Sequence, residues 1–181
     1  MKIIFLDIDG VLNCRKTFIN HHEEKIKINR LIRQLCHQKK ITFENAISIC
    51  DQEILYLWLK SKMLEIEVNK IALLKKIVLE TNAKVVVTSS WKILDIYPYV
   101  EKELIKRGIP IIGATPNLGK RGLEIRDYLK SHPEINDFII LDDTLFSDFY
   151  ELENNLVKTN FYKDGLDEKN VSQVIKKLKK M

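Results

Sequence analysis

Five short runs along the chain are nearly continuously apolar: Lys2–Leu6, Lys84–Thr88 (KVVVT), Ile109–Ile112, Phe138–Leu141 (FIIL) and the weaker Leu156–Thr159. Unbroken apolarity over so few residues predicts strands covered on both faces rather than strands with one wet side. Between these runs the apolar positions recur with helical spacing. Asn69 can cap a helix that presents Ile71, Leu74, Ile77 and Val78, and Tyr99–Arg107 stops at Gly108. Gly122–Lys130 stops before His132 and Pro133, and Asn170–Lys180 carries Val171, Val174, Ile175 and Leu178. Strands alternating with helices predict an α/β fold, a Rossmann-like three-layer sandwich around a five-stranded parallel sheet.

One interval is too long for this rhythm. A strand–helix–strand unit takes ~30 residues or slightly more, yet residues 7 to 83 separate the first two strands. Ile28, Leu31, Ile32, Leu35 and Cys36 follow one helical stripe, and a second runs from near Thr42 through Ala46, Ile47, Cys50, Ile54 and Leu57. The chain therefore reads as one domain over residues 1–181 with a small helical insert at about 14–66, above the loop that follows the first strand.

Open parallel sheets bind ligands beyond the carboxyl ends of their strands. In this chain Asp7, Asp9 and Gly10 follow the first strand, and Thr88, Ser89 and Ser90 end the second. Lys120 and Arg121 open a helix beyond the third, and Asp142 and Asp143 follow the fourth. Period-two geometry puts Asp7 and Asp9 on one face of an extended segment, where their charges repel unless a cation lies between them. Hard oxygen ligands in this number suit Mg²⁺, which keeps several waters for a phosphate. Hydroxyls and a Lys or Arg beside such a metal suit a phosphoryl group. A carboxylate there can attack phosphorus, and a second carboxyl two residues on can protonate the leaving oxygen.

Composition narrows the setting. Net charge is +5 with a sequence pI near 9.0, a mild basic excess that favours an anionic partner. Residues 25 to 40 hold six Lys or Arg and no Asp or Glu. That run is read either as a solvated helix face or as a phosphate-backbone track toward the site, with Tyr56 and Trp58 near enough to stack on bases or to pack as core. Three cysteines, Cys14, Cys36 and Cys50, show no CxxC spacing, so a reduced cytoplasmic compartment is expected. Asp7 and Asp9 interrupt the N-terminal apolar run, so it is no signal-peptide core, and no stretch approaches the ~20 apolar residues of a membrane span.

The stretches IIFLDIDGVLN, AKVVVTSSW, KRGLEIRDYL, FIILDD and LVKT…GL resemble the motifs of haloacid dehalogenase-like (HAD) phosphatases, and more narrowly the HAD domain of Swiss Army Knife RNA repair proteins. The resemblance covers about residues 1–13 and 69–168. It implies Asp7 as nucleophile and Mg²⁺ ligand, and Asp9 as general acid and base whose backbone carbonyl also faces the metal. It further implies Thr88, or Ser89, on a phosphate oxygen, Arg121 or Lys120 as the neutralising cation, and Asp142 with Asp143 as metal holders. Gly10 and Arg15 complete the candidate substrate contacts. The insert stands where caps that screen substrates stand in many relatives. A phosphorylated substrate follows, either an RNA or DNA end or a small metabolite.

Other readings compete. Adjacent His21 and His22 in a polar loop read as exposed, Cys14 as a small filler, Ser90 as a helix cap and Asp148 as a surface residue or cap. A receiver-type phosphoacceptor also gathers acids, a hydroxyl and a Lys around Mg²⁺, but it needs an aspartate after its third strand, where this chain has Gly113, Ala114 and Thr115. A catalytically idle binding domain is the remaining class, and the intact set of aspartates and Thr88 argues against it.

Overall fold

The computed structural model describes residues 1–180. Strands β1 (Lys2–Leu6), β2 (Lys84–Val87), β3 (Ile111–Ala114), β4 (Asp137–Asp142) and β5 (Leu156–Lys158) form one all-parallel sheet in the order β3-β2-β1-β4-β5. Helices α1 (Arg15–Asn20), α2 (His22–Lys39), α3 (Phe43–Ser48) and α4 (Gln52–Met63) lie between β1 and α5 (Val68–Thr81). Helices α6 (Tyr97–Lys106), α7 (Arg121–Ser131) and α8 (Glu168–Lys180) complete the set.

The continuous apolarity of the strands is explained by burial on both sides. Alternate residues Ile4, Leu6, Val85, Val87, Ile139 and Leu141 pack with α5, α6 and α8. Their neighbours Ile3, Phe5, Val86 and Ile140 pack on the other face with Ile125 and Tyr128 of α7 and with Phe149 and Leu152. Each strand residue removed from water contributes roughly 1.5–3 kcal/mol, so three layers are held by one row of short strands. The order of the sheet reverses beside β1, and crevices in such sheets open there, beyond the carboxyl ends.

Some boundaries differ from the sequence reading. The third strand begins at Ile111, two residues late, because Ile109 and Pro110 form the approach to it, and Gly113 and Ala114 lie inside it. Helix α5 starts at Val68, one residue ahead of Asn69, whose side chain accepts from the Lys70 amide within the first turn. The helix expected from Thr42 to Leu57 is broken in two. Cys50 takes a left-handed φ of 55°, and Asp51 then caps α4 by accepting from the Ile54 amide at 3.2 Å. Lys39 pairs with Asp51 and Glu53 across that break. On α2 the buried positions are Ile28 and Ile32, while Leu31 is exposed.

Helices α2, α3 and α4 enclose a small core of Ile28, Ile32, Ala46 and Ile54, with Phe43 meeting Trp58 edge-on at 4.8 Å. Trp58 is thus a packing residue, and Tyr56 is exposed. The insert is tied to the loop after β1 where the Glu67 amide donates to the Leu12 carbonyl at 2.9 Å. Gly165 closes the other side of that loop. With φ at 60°, any Cβ there would lie 2.5 Å from the Asn13 carbonyl oxygen, so this close approach of backbones requires glycine.

Candidate active site

Strand register builds the site. Leu6 lies opposite Val87 and Leu141, and Val87 opposite Ala114. One residue further, Thr115, Thr88, Asp7 and Asp142 therefore form a single polar row along the carboxyl edge. Backbone bonds extend the ladder into that row: the Thr88 amide donates to Leu6, Asp7 to Leu141 and Thr115 to Val87, at 2.8–2.9 Å.

Beyond Asp7 the chain does not stay extended. The amides of Val11 and Leu12 both donate back to the Ile8 carbonyl, making a tight turn. The extended segment that the period-two expectation assumes therefore ends at Asp7, and Asp9 lies within the turn. Its carboxylate is bonded on both oxygens: Oδ1 accepts from Asn13 Nδ2 and Oδ2 from Trp91 Nε1, each at 2.9 Å. Asn13 also accepts from the Gly10 amide at 2.8 Å, so one buried side chain fixes both the turn and the carboxylate. Gly10 has φ at 73°, and a Cβ there would meet the Asp143 side chain at 2.5 Å.

The acidic cluster is instead Asp7, Asp142 and Asp143, each offering an oxygen within 4.8 Å of the others. The cation facing it is Arg121, whose Nη1 lies 3.3 Å from Asp7 and 3.4 Å from Asp142. The guanidinium also rests over the Phe146 ring at 5.4 Å. Lys120, by contrast, is exposed at the N-terminal boundary of α7. Burial pushes the Asp7 carboxyl up to about 6, with Arg121 the strongest opposing influence. Burial first, and then the Asp7 charge, push Asp142 up to about 7.

Asp142 Oδ1 accepts from the Thr144 amide at 2.9 Å, but its buried Oδ2 has no hydrogen-bond partner among the described residues. That oxygen meets only the Arg121 ion pair at 3.4 Å, and one guanidinium for three gathered carboxylates leaves negative charge in excess, so this donor set fits a hard divalent ion. A stability experiment reads the same cluster. Both carboxyls hold a proton more tightly in the folded chain than in the unfolded one. Their favourable contribution is thus complete at about pH 4 and is lost as the pH rises through about 6 and about 7. Thermal melts without metal should show wild type losing ground to an Asp7→Asn, Asp142→Asn double variant over that range. Mg²⁺ should restore wild type more at about pH 8 than at about pH 5. Parallel melting curves at all pH values would refute the assignment.

The sequence reading missed Lys92. This side chain and Glu124 are 6% and 7% exposed and pair at 2.5 Å. Lys92 donates to Thr115 Oγ1 at 2.9 Å, and the Thr115 hydroxyl meets that of Thr88 at 3.3 Å. Thr88, Ser90, Lys92, Asn117, Gly119 and Arg121 line a cavity of about 190 Å³. Burial pulls the Lys92 ammonium down from its ordinary range, with Glu124 opposing. No local pattern marks Asn13, Trp91 or Phe146 as site residues either, and nothing in AKVVVTSSW says that the Trp91 N–H reaches a carboxylate.

The remaining candidates fall as follows. Ser89, not Ser90, caps the short 3₁₀ turn at Ser90–Ile93 by accepting from the Trp91 amide. Asp148 accepts from the Leu123 amide and approaches Arg126, so it caps α7 from outside. Cys14 is buried against Glu67. Arg15 is exposed at the start of α1, and among the described residues its side chain makes no hydrogen bond or ion pair with the acidic cluster. In the basic run, Lys25 pairs with Glu65 and Lys39 with Asp51, while Lys27, Arg30, Arg33 and Lys40 are exposed without an ion pair among the described residues. Arg30 and Arg33 line a groove built from α2 alone. No helix among the described residues is long and apolar enough to cross a membrane.

A five-stranded parallel sheet in this order, with carboxylates and an arginine converging at its carboxyl edge, defines a phosphohydrolase-type domain of the HAD class. Residues 3–171 match the family described as the HAD domain in Swiss Army Knife RNA repair proteins, and the chain belongs to that family. The match spans the insert, which the motif resemblance alone left outside. No curated protein and no solved structure matches the chain.

Proposed function

We propose that the chain is a Mg²⁺-dependent phosphohydrolase that works through an aspartyl-phosphate on Asp7 and removes terminal phosphates from polynucleotides. The observation that carries the chemistry is Asp7 itself: a buried carboxylate paired with Arg121 and grouped with Asp142 and Asp143. An Asp7 oxygen attacks phosphorus as the ester oxygen leaves with a proton from Asp9. Asp9 then takes a proton from water, whose oxygen attacks the same phosphorus, releasing inorganic phosphate and freeing Asp7. Arg121 and Thr88 hold phosphoryl oxygens, with Ser89, Gly10, Lys120 and Arg15 at the margins of the substrate. Asp7, Asp142 and Asp143 would hold Mg²⁺, with Asp9 contributing its backbone carbonyl. The ion supplies charge neutralisation at the phosphoryl group.

The substrate class rests on separate support. The family is described by its occurrence in RNA repair proteins, the net charge is +5, and α2 presents Lys27, Arg30 and Arg33 to solvent. The insert at 14–66 serves as the cap that screens substrates, in a single cytoplasmic domain. The small size of the cavity beside Thr88, about 190 Å³, favours a second reading, a small phosphorylated metabolite. Phosphate release with Mg²⁺ or with chelator separates the two. Metal-dependent release from phosphorylated oligonucleotides, weakened by about tenfold or more on raising the salt, is the expected result. Release from nucleotides or sugar phosphates alone would select the metabolite reading, and release unaffected by chelator would overturn the metal assignment.

A further inference from the structure

Asp9 is reached by a chain of contacts that begins in the insert. Glu65, 6% exposed, lies just beyond α4 and pairs with Lys25 of α2 at 2.5 Å and with Lys62 of α4 at 3.3 Å. The Lys62 ammonium stands over the Trp91 ring, 4.8 Å from its centroid. Trp91 is 4% exposed, and its indole N–H donates to Asp9 Oδ2. Two lysines from two insert helices thus converge on one glutamate, and one of them covers the ring that holds the carboxylate.

We propose that Trp91 is the positioning residue of Asp9, and that Lys62 makes this position depend on how the insert is seated. The inference rests on the hydrolase reading above. A carboxylate offers about four lone-pair directions on its two oxygens. Asn13 and Trp91 occupy one on each oxygen, which fixes the plane and rotation of the group and leaves the remaining directions for a proton. In the first chemical step the Asp7 oxygen bonds phosphorus, the bond from phosphorus to the leaving oxygen breaks, and the Asp9 proton passes to that oxygen. The geometry of this proton transfer depends on the rotation that Trp91 sets. A cation held over an indole face draws on the negative face of the ring and holds it in place. Displacing the insert removes that cation, so substrate engagement by the insert is transmitted to the acid.

The test uses leaving groups. Dinitrophenyl phosphate expels a stable phenolate that needs no proton, whereas a phosphorylated oligonucleotide end expels an alkoxide that does. Because Asp9 also serves the later attack of water, which both esters share, the readout is kcat/KM, which reports only the steps up to loss of the leaving group. Trp91→Phe should lower it on the oligonucleotide about 10- to 100-fold, part of the range that positioned acid catalysis supplies, and leave it on dinitrophenyl phosphate within about 3-fold. Lys62→Met keeps the aliphatic cover on the ring and, being partly exposed, spares the fold. It should shift the same ratio in the same direction by about 2- to 5-fold, the worth of one cation–π contact. Equal losses on both esters in Trp91→Phe, or an unchanged ratio in Lys62→Met, overturn the inference. If wild type hydrolyses neither ester, or Asp7→Asn hydrolyses them at the native rate, the underlying reading fails instead.

Discussion

Asp7→Asn should lower hydrolysis of phosphate esters by on the order of 10⁴-fold or more, because the attacking oxygen is replaced by an amide that cannot form the acyl phosphate. The same substitution should not weaken the fold. Asp7 lies 7% exposed beside Asp142, and burial and like charge both oppose ionisation of the pair. An isosteric amide removes one of the two charges while Arg121 keeps Asp142 as a partner at 3.4 Å. The variant should therefore melt at or above the wild-type temperature at about pH 8 without metal, the opposition of stability and activity expected where a site stores electrostatic strain. Phosphate release and a thermal melt on the same preparation check both halves. Hydrolysis at the native rate would place the nucleophile elsewhere, and a large drop in melting temperature would mean that the Asp7–Arg121 pair holds the fold together.

Glu124→Ala should be among the most damaging single changes to stability. It leaves the Lys92 ammonium buried without its carboxylate, and stranding one member of a buried pair costs about 3–5 kcal/mol. In a chain of this size that lowers the melting temperature by roughly 10 °C. Two further losses accompany it. Glu124 Oε1 accepts from the Leu118 amide at 3.0 Å, which fixes the loop leading to Arg121. Lys92 also reaches Thr88 through the Thr115 hydroxyl, so the cavity lining loosens on both sides. Replacing both partners, Lys92→Met with Glu124→Leu, should recover most of the stability, since no buried charge is then left alone. Activity should recover less, because the Leu118 and Thr115 contacts stay broken. A double variant as unstable as Glu124→Ala would show that packing, not the stranded charge, sets the cost.

How much of this was legible in advance divides along physical lines. Apolar runs such as FIIL and KVVVT announce strands because burial on both faces is a local requirement on each residue. The candidate carboxylates and Thr88 could be named because the carboxyl end of a strand is one residue beyond its last apolar position, and parallel register then aligns those ends. Turn chemistry was harder. Nothing in DIDG distinguishes an extended continuation from the Ile8–Leu12 turn, and with that turn the Asp9 carboxylate is bonded to Asn13 and Trp91 while the grouped acidic oxygens are those of Asp7, Asp142 and Asp143. The break at Cys50 was equally hidden, since the apolar spacing continues through a residue whose backbone is left-handed.

By itself, then, the sequence determined the layered α/β architecture, the helical character of the insert and which acids stand at the sheet edge. Each follows from hydrophobic periodicity and chain order. Tertiary structure decided which long side chains meet: Arg121 rather than Lys120 over Asp7, Lys92 with Glu124, Trp91 with Asp9, and Lys62 above Trp91. Those pairings join residues from separately placed elements. Their partners depend on how a helix or turn is rotated on the sheet, and no local pattern of hydrophobic and polar positions encodes that rotation.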